Sequence, residues 1–491
     1  MELCDELEAS IREFSAGGPT EVRDNGARVA PLSALSWEIR GNGQRPLIHL
    51  WSEHHNLTRR VLAITDQSET RLALAVERFG RSKPDRLEFL RVKYDAAPRT
   101  LEHEAFCQRL AVMCAEQFPD DTLDSLTIAP DLEHSLSGNY ARGVLRKEKL
   151  RWALLAVPAG ASEPAHHALT FALIWLDRVR QLDRGGQIAG LRVIVPKGAG
   201  ASIARLLPAM DSRIPIAVYE MDSTRNAFEE ADPLSLTNLD SWLVAARETQ
   251  LLLDRAKPAL EPILSLASDT IAVHPVVSTR EVWLRFRGTP FARWEEGRVF
   301  FGISKQDREL LESSRGQLQG IVRELEQHRH PLASDTQHPL YRALPERWLE
   351  SLVREDVSRI DAALNPRFAY TQVFANAAGE HGIIDLLCVT RSGRVAIVEL
   401  KASEHIHFPL QAAGYWLRIR RHLEQGDLQR YGYFPGIEIQ DQPPIVYLVA
   451  PALRIHPTTD TLLRYFNPEL EIVRVGLTEK WRRGLRVVLR Q

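Results

Sequence analysis

The stretch GIIDLLCVTRSGRVAIVELKAS, residues 382–403, constrains this chain more than any other. Two runs of β-branched and apolar residues flank a polar bend at Ser392-Gly393, which reads as a β-hairpin. Charged residues nevertheless interrupt the apolar runs: Asp385 in the first, Glu399 and Lys401 in the second. Side chains alternate along a strand, so Glu399 and Lys401 project from one side. With a three-residue turn at Arg391-Ser392-Gly393, Thr390 pairs with Arg394 and Asp385 falls opposite Glu399. Directly opposed carboxylates repel, and a hard divalent cation between them relieves that repulsion. Magnesium keeps several waters and engages phosphate while taking one or two carboxylates, which suits phosphodiester hydrolysis. Lys401 beside it could orient a water or stabilise transition-state charge.

Downstream, PLQAAGYWLRIRRHLEQG has Pro409 at a helix start and Gly426 at a stop. On that helix Gln411, Tyr415, Arg418 and His422 recur at helical spacing and are expected to form one polar stripe able to hold a phosphate backbone. Upstream, PERWLESLVREDVSRIDAAL reads as an amphipathic helix carrying Glu346 and Glu350 on one face. Either could complete an acidic cluster.

In order, Glu350, GIID ending at Asp385, VELK with Glu399 and Lys401, and Gln411-x-x-x-Tyr415 resemble the PD-(D/E)XK nuclease superfamily, in its exonuclease-like QxxxY branch. The resemblance covers roughly residues 340–477; Ile384 stands where the motif has proline. It implies that Asp385 and Glu399 bind Mg2+ (or Mn2+), that Lys401 assists the water, and that Gln411 and Tyr415 support the site and DNA binding. It also implies a further glutamate from the early helix, here Glu350. Replacing Asp385 or Lys401 by alanine is expected to abolish cleavage without loss of stability, since like-charge repulsion would be relieved.

Other features have plainer readings. His405, His407 and His456 are taken as packing or surface residues. Trp283, Arg285 and Trp294 could stack on bases but suit the two faces of a β-meander better. The terminal EKWRRGLRVVLRQ offers phosphate contact or a solvated basic end. Cys4, Cys107, Cys114 and Cys388 form no CxxC pair, so zinc and iron–sulfur sites are not expected. PKGAGAS lacks the lysine and hydroxyl of a phosphate-binding loop, and no nucleotide cofactor is expected.

The chain also matches itself. Setting LRWALLAVPAGAS against RVAIVELKASEH without a gap aligns Trp152 with Val395 and places Arg142 at Asp385, Ala156 at Glu399 and Pro158 at Lys401. LTFALIWLDRVR parallels LQAAGYWLRIR, matching Leu169 to Leu410 and Trp175 to Trp416, with Thr170 and Ile174 where Gln411 and Tyr415 stand. GLRVIVP, ARLLPAM and IPIAVYEMD then repeat the order of PIVYLVAP, TLLRYF and LEIVRVGL. A nuclease-like lobe without its catalytic residues, followed by one that has them, fits this pattern.

At 491 residues the chain exceeds one hydrophobic core. The segments expected are a β-rich domain at 1–95, a degenerate nuclease-like lobe at 98–222, a helical connector at 223–270 interrupted by Pro258 and Pro262, a β-meander plus helix at 271–335, and the nuclease domain at 340–491. The expected class is α/β: a restriction-endonuclease-like mixed sheet flanked by helices, duplicated, with additional β-meander segments. A net charge of −2 neither announces nor excludes a nucleic acid. The acidic start lacks a signal-peptide layout and no apolar run spans a bilayer, so a cytoplasmic protein without membrane contact is expected. The functional expectation is a magnesium-dependent deoxyribonuclease with one active site, built as a monomer with an internal pseudo-dimer. The alternatives are a catalytically silent nucleic-acid-binding or assembly scaffold and an RNA-directed nuclease.

Overall fold

The structure is a computed structural model that describes residues 3–18, 20–24, 27–32, 35–40, 46–51, 56–77, 85–91, 96–159, 166–182, 187–222, 227–231, 243–267, 269–303, 308–374 and 383–491. It is mixed α/β and divides into two compact units. One comprises Met1–Asp95, Val244–Glu355 and Lys480–Leu485; the other comprises Ala96–Leu243, Asp356–Glu479 and Arg486–Gln491. Each unit therefore draws on both halves of the chain. Among the described residues no helix is long and apolar enough to cross a membrane.

The first unit holds two antiparallel sheets. A seven-stranded sheet between Thr20 and Arg91 packs on the helix Leu3–Ala16 through Leu7, Ile11 and Phe14. A five-stranded meander from Ile271 to Glu309 packs on the helix Ala246–Leu264, whose Leu252, Ala256, Leu260 and Ile263 form the buried stripe. Trp294 lies in this core, while Trp283 donates from its indole to Glu281 at 3.0 Å. The prolines expected to interrupt the connector do not: Pro258 and Pro262 sit inside the helix, on its exposed side. The carbonyls deprived of an N–H partner there face solvent, which makes proline tolerable. The connector is also shorter than 223–270, because Ala227–Glu230 is a strand of the other unit; residues 232–242 of it lie outside the described residues.

Two stretches assigned to the nuclease domain by sequence belong instead to the first unit: the helix Pro345–Glu355 and residues 480–485. Aromatic packing explains it. Trp348 is fully buried, with Tyr341 at 5.2 Å and Trp481 at 6.3 Å between ring centres, and the guanidiniums of Arg329 and Arg482 lie over its ring. Of the basic terminal run, Arg482 is thus a half-buried packing group.

The second unit contains two six-stranded sheets with the same plan. In the first lobe the strands Thr122–Thr127, Ala141–Lys147, Leu150–Ala156, Gln187–Pro196, Ile216–Asp222 and Ala227–Glu230 lie side by side in chain order. In the second lobe the strands are Leu364–Phe374, Ile383–Thr390, Val395–Leu400, Ile445–Pro451, Ile472–Leu477 and Val487–Arg490, again in chain order. Successive pairs run antiparallel, antiparallel, parallel, parallel and antiparallel in both. The first parallel crossover carries His167–Leu182 in one lobe and Phe408–Glu424 in the other.

One continuous core joins the lobes. Their contacts are reciprocal: the His167 helix packs on the short helix Thr459–Leu463 of the second lobe, and the Phe408 helix on the turn Leu207–Ala209 of the first. Between them Met210 and Phe466 form a single antiparallel bridge, in which Asp211 N donates to Tyr465 O and Asn467 N to Ala209 O, 2.9 and 2.8 Å. A twofold rotation exchanging Met210 with Phe466 exchanges these two bonds, as at an isologous interface.

Candidate functional site

The hairpin of the second lobe turns through Arg391-Ser392-Gly393. Thr390 N donates to Arg394 O at 2.8 Å, and Gly393 adopts φ +95 with a would-be Cβ 2.0 Å from Glu438 O, so only glycine fits there. This turn sets the register, Val389 facing Val395 and Leu386 facing Val398. The paired register ends there, and continuing it by one step would set Asp385 across from Glu399. There Asp385 Oδ2 accepts the Leu400 N–H at 2.9 Å, which fixes the carboxylate against the neighbouring strand.

Val395–Leu400 is buried throughout and lies between an antiparallel and a parallel neighbour. Glu399 is only 1% exposed and Lys401 8%. Both stand near the carboxyl end of a parallel strand pair, where open α/β sheets place their ligands. Lys401 Nζ lies 3.4 Å from Glu399 Oε1, and its backbone N–H continues the ladder to Val449 O at 3.0 Å. The sequence-based expectation that losing Lys401 relieves repulsion is corrected here: its near neighbour carries the opposite charge and is buried, so the lysine stabilises it.

The following helix spans Phe408–Glu424 with Pro409 in its first turn, and Gly426, at φ +68, lies beyond its end. Gln411 Nε2 donates to the Tyr415 hydroxyl at 3.0 Å. Burial and the Glu399 carboxylate push the Tyr415 phenol well above its usual range; the Gln411 bond and Lys401 oppose this, and Asp385 adds to it. Tyr415 therefore senses all three hairpin residues, with acidic charge in excess. Arg418 places its guanidinium 5.8 Å from the centre of the Tyr415 ring. His422 leaves the expected polar stripe: it is buried and its Nδ1 bonds Asp427 Oδ2 at 2.8 Å, drawn toward the helix that follows.

Glu350 belongs to the other compact unit. There it is buried, its Oε2 accepting from Arg347 Nη1 at 2.6 Å while its Oε1 has no hydrogen-bond partner among the described residues.

The two carboxylates form a hard oxygen donor set without thiolate or imidazole, which fits magnesium better than a transition metal. Among the described residues no group of three or more His, Cys, Asp or Glu is disposed to hold a metal ion. Magnesium here would rest on Asp385 and Glu399, its remaining positions filled by water and substrate phosphate.

The corresponding hairpin of the first lobe pairs Lys147 with Leu150, leaving a two-residue turn, Glu148-Lys149, one shorter than its counterpart. The gapless alignment consequently slips by one along the second strand. Arg142 pairs with Leu155, the step that corresponds to Asp385 and Glu399, and Val157 N bonds Ile194 O as Lys401 N bonds Val449 O. The ladder equivalents of Glu399 and Lys401 are thus Leu155 and Val157, not Ala156 and Pro158. Arg142, at the position of Asp385, is buried and donates from Nη2 to Ala129 O.

Between the lobes lies a cavity of about 300 Å³. Gln411, Tyr415 and Arg418 line one side of it, and His166, Ser202 and Arg205 of the first lobe line another. His405 and His407, read from the sequence as packing or surface residues, also border it. The His167 and His407 rings stack at 3.7 Å, and Thr170 Oγ1 meets His407 Nδ1 at 2.8 Å. A signal was present: the alignment that sets Leu169 on Leu410 also sets His166 on His407, so both helices open on histidine.

Comparison of the chain with protein-family models, with curated proteins and with solved structures gives no match in any of the three.

Proposed function

We propose that this protein is a metal-dependent nuclease that hydrolyses phosphodiester bonds, most naturally those of DNA, at Asp385, Glu399 and Lys401. One observation supports the reading: the register that pairs Leu386 with Val398 leaves Asp385 and Glu399 as the next residues of the two strands, Asp385 Oδ2 accepts the Leu400 N–H, and Lys401 Nζ lies 3.4 Å from Glu399 Oε1, with Gln411 and Tyr415 bonded on the helix that follows. Two acids held this way destabilise a fold that has no use for them.

Asp385 and Glu399 are the magnesium ligands in this scheme, and the ion would polarise the phosphate and lower the pKa of a bound water. Asp385 is oriented by the Leu400 N–H, so it presents its carboxylate without reorganisation. Lys401, its Nζ 3.4 Å from Glu399 Oε1, offers N–H donors to the attacking water or to charge growing on phosphate oxygens. Tyr415, protonated and positioned by Gln411, orders the cluster from the helix side. Gln411, Tyr415 and Arg418 are the substrate-facing residues.

We further propose that the two lobes descend from one restriction-endonuclease-like lobe and form an internal pseudo-dimer with one competent site. Their equal strand order and reciprocal contacts support this. The decisive experiment incubates the full chain with linear and circular DNA in magnesium, manganese or chelator, beside Asp385→Asn. Metal-dependent cutting that the variant loses is the expected result. Absence of cutting in every condition, or an equally active variant, overturns the assignment and favours a nucleic-acid-binding scaffold.

A further inference from the structure

The cavity between the lobes has the electrostatic character of an anion site. Arg205, Arg418 and four histidines line it, and no Asp or Glu does. Gln411 and Tyr415, which line it, stand on the helix that follows the strand carrying Glu399 and Lys401. A cationic chamber next to a carboxylate centre suits a substrate whose scissile phosphate sits at the carboxylates and whose neighbouring phosphate sits among the guanidiniums.

Arg205 is the informative residue. It follows the short helix Gly200–Ala204 in the first lobe, and its Nη1 is buried with no hydrogen-bond partner. Buried donors are ordinarily satisfied, so a guanidinium nitrogen left this way beside a cavity is arranged for a ligand that brings acceptors. Its position is fixed by close packing: Leu206, the next residue, approaches so near that a Cβ on Gly414 of the second lobe would lie 3.3 Å from its methyl. The stacked His167 and His407 and the Thr170–His407 bond tie the two helices together beside the cavity.

We propose that this cavity binds a phosphate group of the nucleic acid adjacent to the bond being cut, and that Arg205, from the lobe without counterparts of Asp385 and Glu399, is one of its ligands together with Arg418. The first lobe then contributes substrate binding to the second lobe's chemistry. The proposal rests on the nuclease reading for the identity of the substrate, whereas phosphate binding itself can be tested without it. The phosphate has two sources, a terminal monoester or an internal diester.

The test uses the full chain and its Arg205→Gln, Arg418→Gln and Arg205→Lys variants, each checked for parental circular dichroism. Kinetics are measured on linear duplex with 5′-phosphate, linear duplex with 5′-hydroxyl, and closed circular DNA. Inorganic phosphate binding is measured by titration calorimetry. Either glutamine variant should raise KM by about tenfold or more, with a smaller fall in kcat, and weaken phosphate binding to match. Arg205→Lys, which keeps the charge but not the fork, should fall between parent and Arg205→Gln. A rise in KM confined to the 5′-phosphorylated duplex identifies a terminal phosphate, and an equal rise on all three an internal one. Parental KM and parental phosphate binding in both Arg205 variants would overturn the proposal. If the parent cuts nothing yet binds phosphate through Arg205, the cavity assignment stands and the nuclease reading falls.

Discussion

Replacing Lys401 by methionine isolates the energetic role of the buried ion pair. Methionine fills most of the lysine volume but removes the cation lying 3.4 Å from a carboxylate that is 1% exposed. Breaking a buried pair by deleting one partner costs about 3–5 kcal/mol. The separation is long for a charge-assisted bond, so the lower end, about 3 kcal/mol, is expected. Adding Glu399→Gln removes the stranded charge and should recover about 2 kcal/mol of that loss. A chain of two units does not melt as one transition, so the measurement is amide exchange across Val395–Leu400. There a loss of about 3 kcal/mol lowers protection roughly a hundredfold. Parental protection in Lys401→Met, or a double variant no better protected than the single, refutes the argument. Cleavage should be absent in single and double variants alike, which separates chemistry from stability.

Three further outcomes are expected. From supercoiled plasmid at limiting enzyme, open circles should accumulate before linear molecules, because the first lobe has Arg142 and Leu155 where the second has Asp385 and Glu399; concerted linearisation by a demonstrated monomer would contradict this. Burial, helped by the stacked His328 ring and opposed by Asp335, lowers the His338 pKa from 6.5 to about 4. Its neutral Nδ1 accepts the Leu340 N–H at 3.2 Å, so the stability it contributes is complete above pH 6.5 and is lost as pH falls toward 4. His338→Asn keeps an acceptor for that N–H and should flatten this part of the first unit's acid-unfolding profile, read by amide exchange around Leu340. Glu350→Gln should lower protection of the helix Pro345–Glu355 by loosening the Arg347 pair, with a smaller effect on kcat than Asp385→Asn; equal losses of kcat would return Glu350 to the active site.

The hairpin was legible because its determinants are local. Ser392-Gly393 marks the turn, and the turn length alone sets the register that opposes Asp385 and Glu399. The first lobe's turn was not, since Glu148-Lys149 carries neither glycine nor asparagine although Glu148 adopts φ 54. Nothing in the letters signals a residue fewer there, and the alignment slipped by one. Pro258 and Pro262 misled because proline's effect depends on which side of the helix meets water, a tertiary fact. Trp348 and Trp481 likewise read as parts of the nuclease domain until packing joined them to Arg329. The cavity histidines come together only through a contact between lobes, beyond any local pattern.

The single core joining the two lobes also bears on biosynthesis. The first lobe leaves the ribosome about 240 residues ahead of the second, about 12–50 s at ordinary rates of synthesis. Throughout that interval the surface around Met210 that will meet Tyr465 and Phe466 stands open to water. Nascent chains therefore pass through an aggregation-prone stage whose length is set by translation speed, and a chaperone able to shield one apolar face would raise the yield. Cutting the gene between its halves would make that stage permanent unless both fragments were produced together.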